Sequence, residues 1–134
     1  MATIDRIEGI GPGYAQTLRD AGISSVEGLL EAACEKSART ELSKATGINE
    51  KLILKWVNMA DLFRINGVGS QYAELLEHAG VDTVAELAQR NAESLHSKMQ
   101  QANDAKPVVR QLPALKIVQT WITEAKTLPR KVNH

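Results

Sequence analysis

Apolar residues recur at helical spacing along almost the whole chain. Tyr14, Ala15, Leu18 and Ala21 share one helical face, and Tyr72, Ala73, Leu76 and Ala79 repeat the arrangement. Gly22 and Gly80 follow directly, where a helix end favours a left-handed residue. Ser24-x-x-Glu27 and Thr83-x-x-Glu86 read as capping boxes that open the next helices. Those helices have apolar faces of Val26, Leu29, Leu30, Ala33 and of Val84, Leu87, Ala88. Third helices use Ala38, Leu42, Ala45 and Leu95, Met99, Ala102; the last ones use Ile53, Trp56, Val57, Ala60 and Val118, Trp121, Ile122, Ala125. No stretch of sustained period-two alternation bounded by turn residues occurs, which predicts an all-α fold with no sheet. Pro107 and Pro113 bracket an irregular connection.

The two sets of helices belong to a tandem repeat. Ile7-Glu8-Gly9-Ile10-Gly11-Pro12-Gly13-Tyr14-Ala15 returns as Ile65-Asn66-Gly67-Val68-Gly69-Ser70-Gln71-Tyr72-Ala73. The segment from Thr46 to Val57 aligns with that from Gln111 to Ile122, now at a longer offset, so the second copy carries extra residues around Asn103 to Gln111. The predicted organisation is a first unit over 3–62, a second over 63–128 and a frayed tail over 129–134. Each unit is expected to hold about five helices in a pseudo-twofold repeat. The junction Ala60-Asp61-Leu62-Phe63-Arg64-Ile65 has no Gly, Pro or Ser, so one helix is expected to run through it.

Gly9-Ile10-Gly11 and Gly67-Val68-Gly69 each precede a longer helix. Two closely crossing helices need a turn whose backbone angles a Cβ would forbid, and both glycines of each pair are read as serving it. The middle residue, Ile10 or Val68, would plug the gap. The helix that follows begins with free N–H groups and a positive dipole end, which can accept an anion. Architecture alone and anion contact both account for the pattern.

These residues resemble the helix-hairpin-helix family, whose run is Gly-hydrophobic-Gly, often Pro-Lys, a small residue, Ala and a Leu three residues later. Ala21-Gly22-Ile23 and Ala79-Gly80-Val81 continue that pattern, and Thr46-Gly47-Ile48 looks like a degenerate second hairpin. Over nearly its full length the chain is also similar to an uncharacterised bacterial family with this duplicated layout. The resemblance implies a sequence-independent grip on nucleic-acid phosphates through hairpin N–H groups, which positions a protein without reading bases. The implied binding residues are Gly9, Ile10, Gly11, Gly13, Gly67, Val68, Gly69 and Gln71. The family's frequent lysine falls on Gly13 and Gln71, Glu8 lies beside the first hairpin, and Leu112 and Pro113 replace the last hairpin's glycine.

Charge narrows the function. The 134 residues carry 16 basic and 16 acidic groups, without the basic excess of a strongly nucleic-acid-seeking surface. The average hides a gradient: residues 1–61 hold 7 basic and 9 acidic groups, residues 62–97 hold 2 and 5, and residues 98–134 hold 7 and 2. Lys98, Lys106, Arg110, Lys116, Lys126, Arg130 and Lys131 therefore form a candidate basic patch for nucleic acid or an acidic partner. Trp56 and Trp121 fall on apolar faces, which predicts core packing in preference to a stacking platform for bases. Tyr14 and Tyr72 either pack with their hydroxyls at the rim or touch a ligand.

Catalytic and metal chemistry find no support in the sequence. His78, His96 and His134 show no metal-ligand spacing, and Cys34 is a lone cysteine read as a small hydrophobe. No nucleophile elbow or carboxylate pair stands out, and Tyr14 occupies the third glycine position of a dinucleotide motif. No catalytic residue, metal, cofactor or small-molecule substrate is expected. The absence of a secretory leader pattern and of an apolar run long enough for a bilayer, with the single cysteine, points to a reduced, cytoplasmic protein with no membrane partner. The expected function is a non-catalytic binding module for nucleic acid; the alternative is a protein-interaction scaffold that kept the fold and lost the charges.

Overall fold

A computed structural model describes residues 2–134. It is all-helical. A 3-10 turn, Ile4–Arg6, precedes α1 (Pro12–Asp20), α2 (Val26–Ala33), α3 (Lys36–Thr46), α4 (Glu50–Leu62), α5 (Ser70–His78), α6 (Val84–Leu87), α7 (Ala92–Ala105) and α8 (Leu115–Ala125). Among the described residues there is no sheet; one isolated antiparallel bridge joins Thr3 to Ser25.

The chain divides into two compact units: Met1–Asp61 with Lys131–His134, and Leu62–Arg130. In the first, the 3-10 turn packs on α1 and α2, and α2 packs on α3. Ile4, Ile7, Leu18, Leu29, Ile53 and Trp56 are fully buried there. In the second, α7 packs on α5 and α8, and α8 packs on α6. Leu75, Leu76, Leu95, Met99, Val118 and Trp121 fill its interior. Both tryptophans are core residues, as their helical faces predict. With one phenylalanine in the whole chain, these indoles are the largest apolar groups each unit can bury.

The five-helix expectation is corrected: among the described residues each unit has four α-helices. The 3-10 turn supplies a fifth helical element in the first, while in the second residues 63–67 form turns. The helix expected to cross the junction stops at Leu62, and Ile65 N–H bonds back to Leu62 O at 3.1 Å. It must stop, because the chain turns sharply a few residues later at Gly67.

The helix starts also differ in detail. Thr83 caps α6, accepting from Glu86 N–H at 3.3 Å. Ser25, and not Ser24, caps α2, accepting from Gly28 N–H at 2.9 Å. The frame moves by one residue because the Ser24 carbonyl is occupied by Ile4 N–H at 3.2 Å, which holds the chain extended until Ser25. The connection from 106 to 114 is irregular, as its prolines require.

On α3 the expected apolar stripe is displaced. Ala38 and Leu42 are half-buried and Ala45 is exposed, whereas Arg39 is buried at 2 % exposure. Its guanidinium donates to Ala33 O at 3.1 Å, Cys34 O at 2.9 Å and Asn133 O at 2.6 Å. Two of these carbonyls belong to the end of α2, where helical acceptors are left over. Charge-assisted bonds to all three offset the desolvation of the cation.

The same side chain explains why the end of the chain is not frayed. Asn133 N–H donates to Cys34 O at 2.9 Å and the Asn133 amide to Glu35 Oε1 at 2.7 Å. Lys131 pairs with Glu31 at 3.2 Å, and Val132 is 2 % exposed. Residues 131–134 are thus an ordered strap on the first unit.

Candidate functional site

The two glycine turns are built alike. Ile10 N–H bonds to Ile7 O, and Val68 N–H bonds to Ile65 O, each at 3.1 Å. The third residue of each turn is left-handed: Gly9 has φ 94° and Gly67 has φ 87°. A bond across four residues with a positive φ at the third position is the pattern of a type II turn, which selects glycine. The central Ile10 and Val68 are buried, as plugs should be.

The second glycine of each pair has another role. Gly11 has φ −81° and ψ −178°, Gly69 has φ −109° and ψ −158°, and both are N-caps in extended conformation. Any residue can adopt that backbone, so the reading that both glycines of each pair serve the bend is corrected. What they share is a bare cap: neither α1 nor α5 has a side chain of its cap residue bonded to its first-turn N–H groups. The helix starts therefore keep open donors and the positive end of the dipole. Pro12 begins α1 where Ser70 begins α5, so the second start offers one more N–H.

Behind each turn stands an aromatic pair. Tyr14 and Trp56 have ring centroids 5.0 Å apart at 65°, and Tyr72 and Trp121 are 5.2 Å apart at 56°. The tyrosine rings are braced on the indoles while Tyr14 remains 42 % exposed. Trp56 Nε1 is buried without a hydrogen-bond partner.

Acidic groups sit close to both turns. Glu8 is exposed beside Gly9. On the preceding 3-10 turn, the Thr3 hydroxyl donates to Asp5 and, aided by the charges of Arg19 and Arg6, holds its carboxyl below the usual carboxylate range. Asn66 N–H, one residue before Gly67, donates to Glu124 Oε1 of α8 at 3.1 Å. Spacing along the chain carries no signal for that last contact.

The candidate basic residues occupy several places. Lys98 lies on α7 and Lys106 at its C-cap, Lys116 is in the first turn of α8 and Lys126 caps its end, and Arg130 is exposed beyond it. Lys131 belongs to the first unit, in its pair with Glu31. Arg110 lines a half-open cleft of about 650 Å³, together with Gln71 and Tyr72 of α5 and the segment 107–111. Two residues read separately from the sequence, Gln71 as a turn position and Arg110 as part of a basic stretch, thus meet in one cleft.

Among the described residues no group of three or more His, Cys, Asp or Glu is placed to hold a metal ion. No helix of the described residues is long and apolar enough to cross a membrane. Fold and site together define an all-α protein with two bare helix starts set behind left-handed glycine turns. The chain belongs to the family described as Domain of unknown function (DUF4332), which matches residues 8–128. No curated protein and no solved structure matches it.

Proposed function

We propose that this protein is a non-catalytic, cytoplasmic binding module of two tandem helix-hairpin-helix units that grips the phosphate backbone of nucleic acid without reading its sequence. The observation that carries this reading is the pair of uncapped helix starts, at Gly11 and Gly69, each presented by a left-handed glycine turn. Open N–H groups at a helix start suit a phosphate oxygen, and each dipole end contributes roughly 0.3–1 kcal/mol. That is weak for one site, so binding needs both units or added cations. Six of the seven candidate basic residues lie in the second unit, which supplies them there.

A protein-interaction scaffold is the second reading. It is favoured by the acidic groups near both turns, Glu8 and Glu124, and by the lack of a lysine at Gly13 and Gln71. A salt titration of binding to generic duplex and single-stranded DNA separates the two. Phosphate gripping predicts affinity that falls steeply as salt rises. No binding at low salt would leave the scaffold reading.

A further inference from the structure

The cleft beside α5 joins the position where the helix-hairpin-helix run would carry a lysine, Gln71, to a cation from the residues present only in the second copy, Arg110. The Arg110 guanidinium has no hydrogen-bond or ion-pair partner among the described residues, and no carboxylate lines the cleft. The segment that carries it is held. Asn103 Oδ1 accepts from Val108 N–H at 2.7 Å and from Val109 N–H at 3.1 Å, while Asn103 Nδ2 donates to Val109 O at 3.0 Å. A cation on a braced segment loses less freedom on binding than one on a free loop. The rest of the wall is mixed: Gln111 adds a second amide, while Pro107, Val108, Val109 and Tyr72 add apolar and ring surface, and the Tyr72 ring is itself braced on Trp121.

An anion site alone needs no apolar wall. A duplex turns its bases inward and offers a protein mainly phosphate and sugar. A single strand offers a phosphate and an unstacked base together, and such strands are held by cations next to ring surfaces. We infer that the cleft takes one unpaired nucleotide of a single strand, its phosphate on Arg110 and its sugar and base against Tyr72, Pro107 and Val108. Asn103 is a positioning residue, acting through the segment it clamps. The inference rests on the nucleic-acid reading above and names the form of nucleic acid that the second unit prefers.

The test uses the full chain at low salt with four probes: a short labelled oligodeoxynucleotide, the oligoribonucleotide of the same sequence, the corresponding duplex, and inorganic phosphate. Single strands should bind more tightly than duplex, and the first two probes show which sugar is accepted. Arg110→Ala should weaken single-strand binding about tenfold or more, as loss of a charge-assisted contact does, with an unchanged unfolding midpoint because Arg110 is exposed. Arg110→Lys should recover part of the loss. Asn103→Ala should weaken binding too, with faster hydrogen exchange of the Val108 and Val109 amides, which Arg110→Ala leaves protected. If duplex binds in a salt-dependent way and Arg110→Ala changes nothing, the cleft assignment fails while the backbone-gripping reading stands. If duplex or phosphate binds as tightly as single strands, the cleft assignment also fails. If no nucleic acid binds, both fall.

Discussion

A β-carbon placed on Gly9 would stand 3.4 Å from Nε1 of Trp56, and one on Gly67 would stand 3.6 Å from Nε1 of Trp121. Each left-handed turn therefore closes directly over the indole of its unit's last helix. The glycine is required by the positive φ; a β-carbon there would meet the indole at ordinary contact distance. The turn and the tryptophan act as one structural device, although they come from opposite ends of the unit.

The two glycines of the first turn should respond unequally to substitution. Gly9→Ala puts a side chain at φ 94° against the indole. Left-handed strain costs roughly 1–2 kcal/mol, and the β-carbon meets the indole at ordinary contact distance. Gly11 has φ −81°, and a β-carbon there would meet no atom within 4 Å. Gly11→Ala should therefore change stability by less than about 1 kcal/mol, because the entropy removed from the unfolded chain is offset by Ala being a poorer N-cap than Gly. Urea denaturation of the two variants measures this. Equal losses would refute the division of labour.

Trp56→Phe should be milder than a buried tryptophan substitution usually is. The indole is fully buried, but its N–H has no partner, so the wild type carries the desolvation of a donor with no bond in return. Phenylalanine removes the donor and leaves a small void. The expected loss is below about 1.5 kcal/mol, against the roughly 3–5 kcal/mol for Trp→Ala. A loss for Trp56→Phe as large as that for Trp56→Ala would show that the nitrogen has a role this reading omits.

Removing the Arg39 guanidinium should release the strap. Arg39→Met keeps much of the side-chain volume but takes the guanidinium from the carbonyls of Ala33 and Asn133 and removes one of the two donors to Cys34 O. A loss of about 2–3 kcal/mol is expected, with faster exchange of the Asn133 amide that now bonds Cys34 O. Hydrogen exchange decides: an Asn133 amide that stays equally protected in the variant would mean that Arg39 does not hold the strap.

Helix caps provide a fourth check. Ser25→Ala and Thr83→Ala should each cost about 1 kcal/mol by removing the side-chain acceptor of a first-turn N–H. Ser24→Ala should cost almost nothing, because Ser24 takes part through its backbone carbonyl. Thermal unfolding of the three variants tests the frame, and a larger loss for Ser24→Ala than for Ser25→Ala would reverse it.

Local regularities were legible along the chain because their physics is local. Helical periodicity located the α-helices from α1 to α8, the paired glycines marked both turns, and the two prolines delimited the irregular segment. The burial of both tryptophans followed from the faces they occupy. Tertiary structure decided everything that depends on a distant partner. Hydropathy assigns Arg39 to solvent, and only the carbonyls gathered from α2 and the strap make its burial favourable. The last four residues carry no pattern that announces order, yet they are pinned through backbone groups, which composition does not record. Arg110 and Gln71 belong to different stretches of the sequence, and it is folding that brings them to one cleft. Periodicity reports which face of an element is apolar; which groups meet across space depends on how the elements pack.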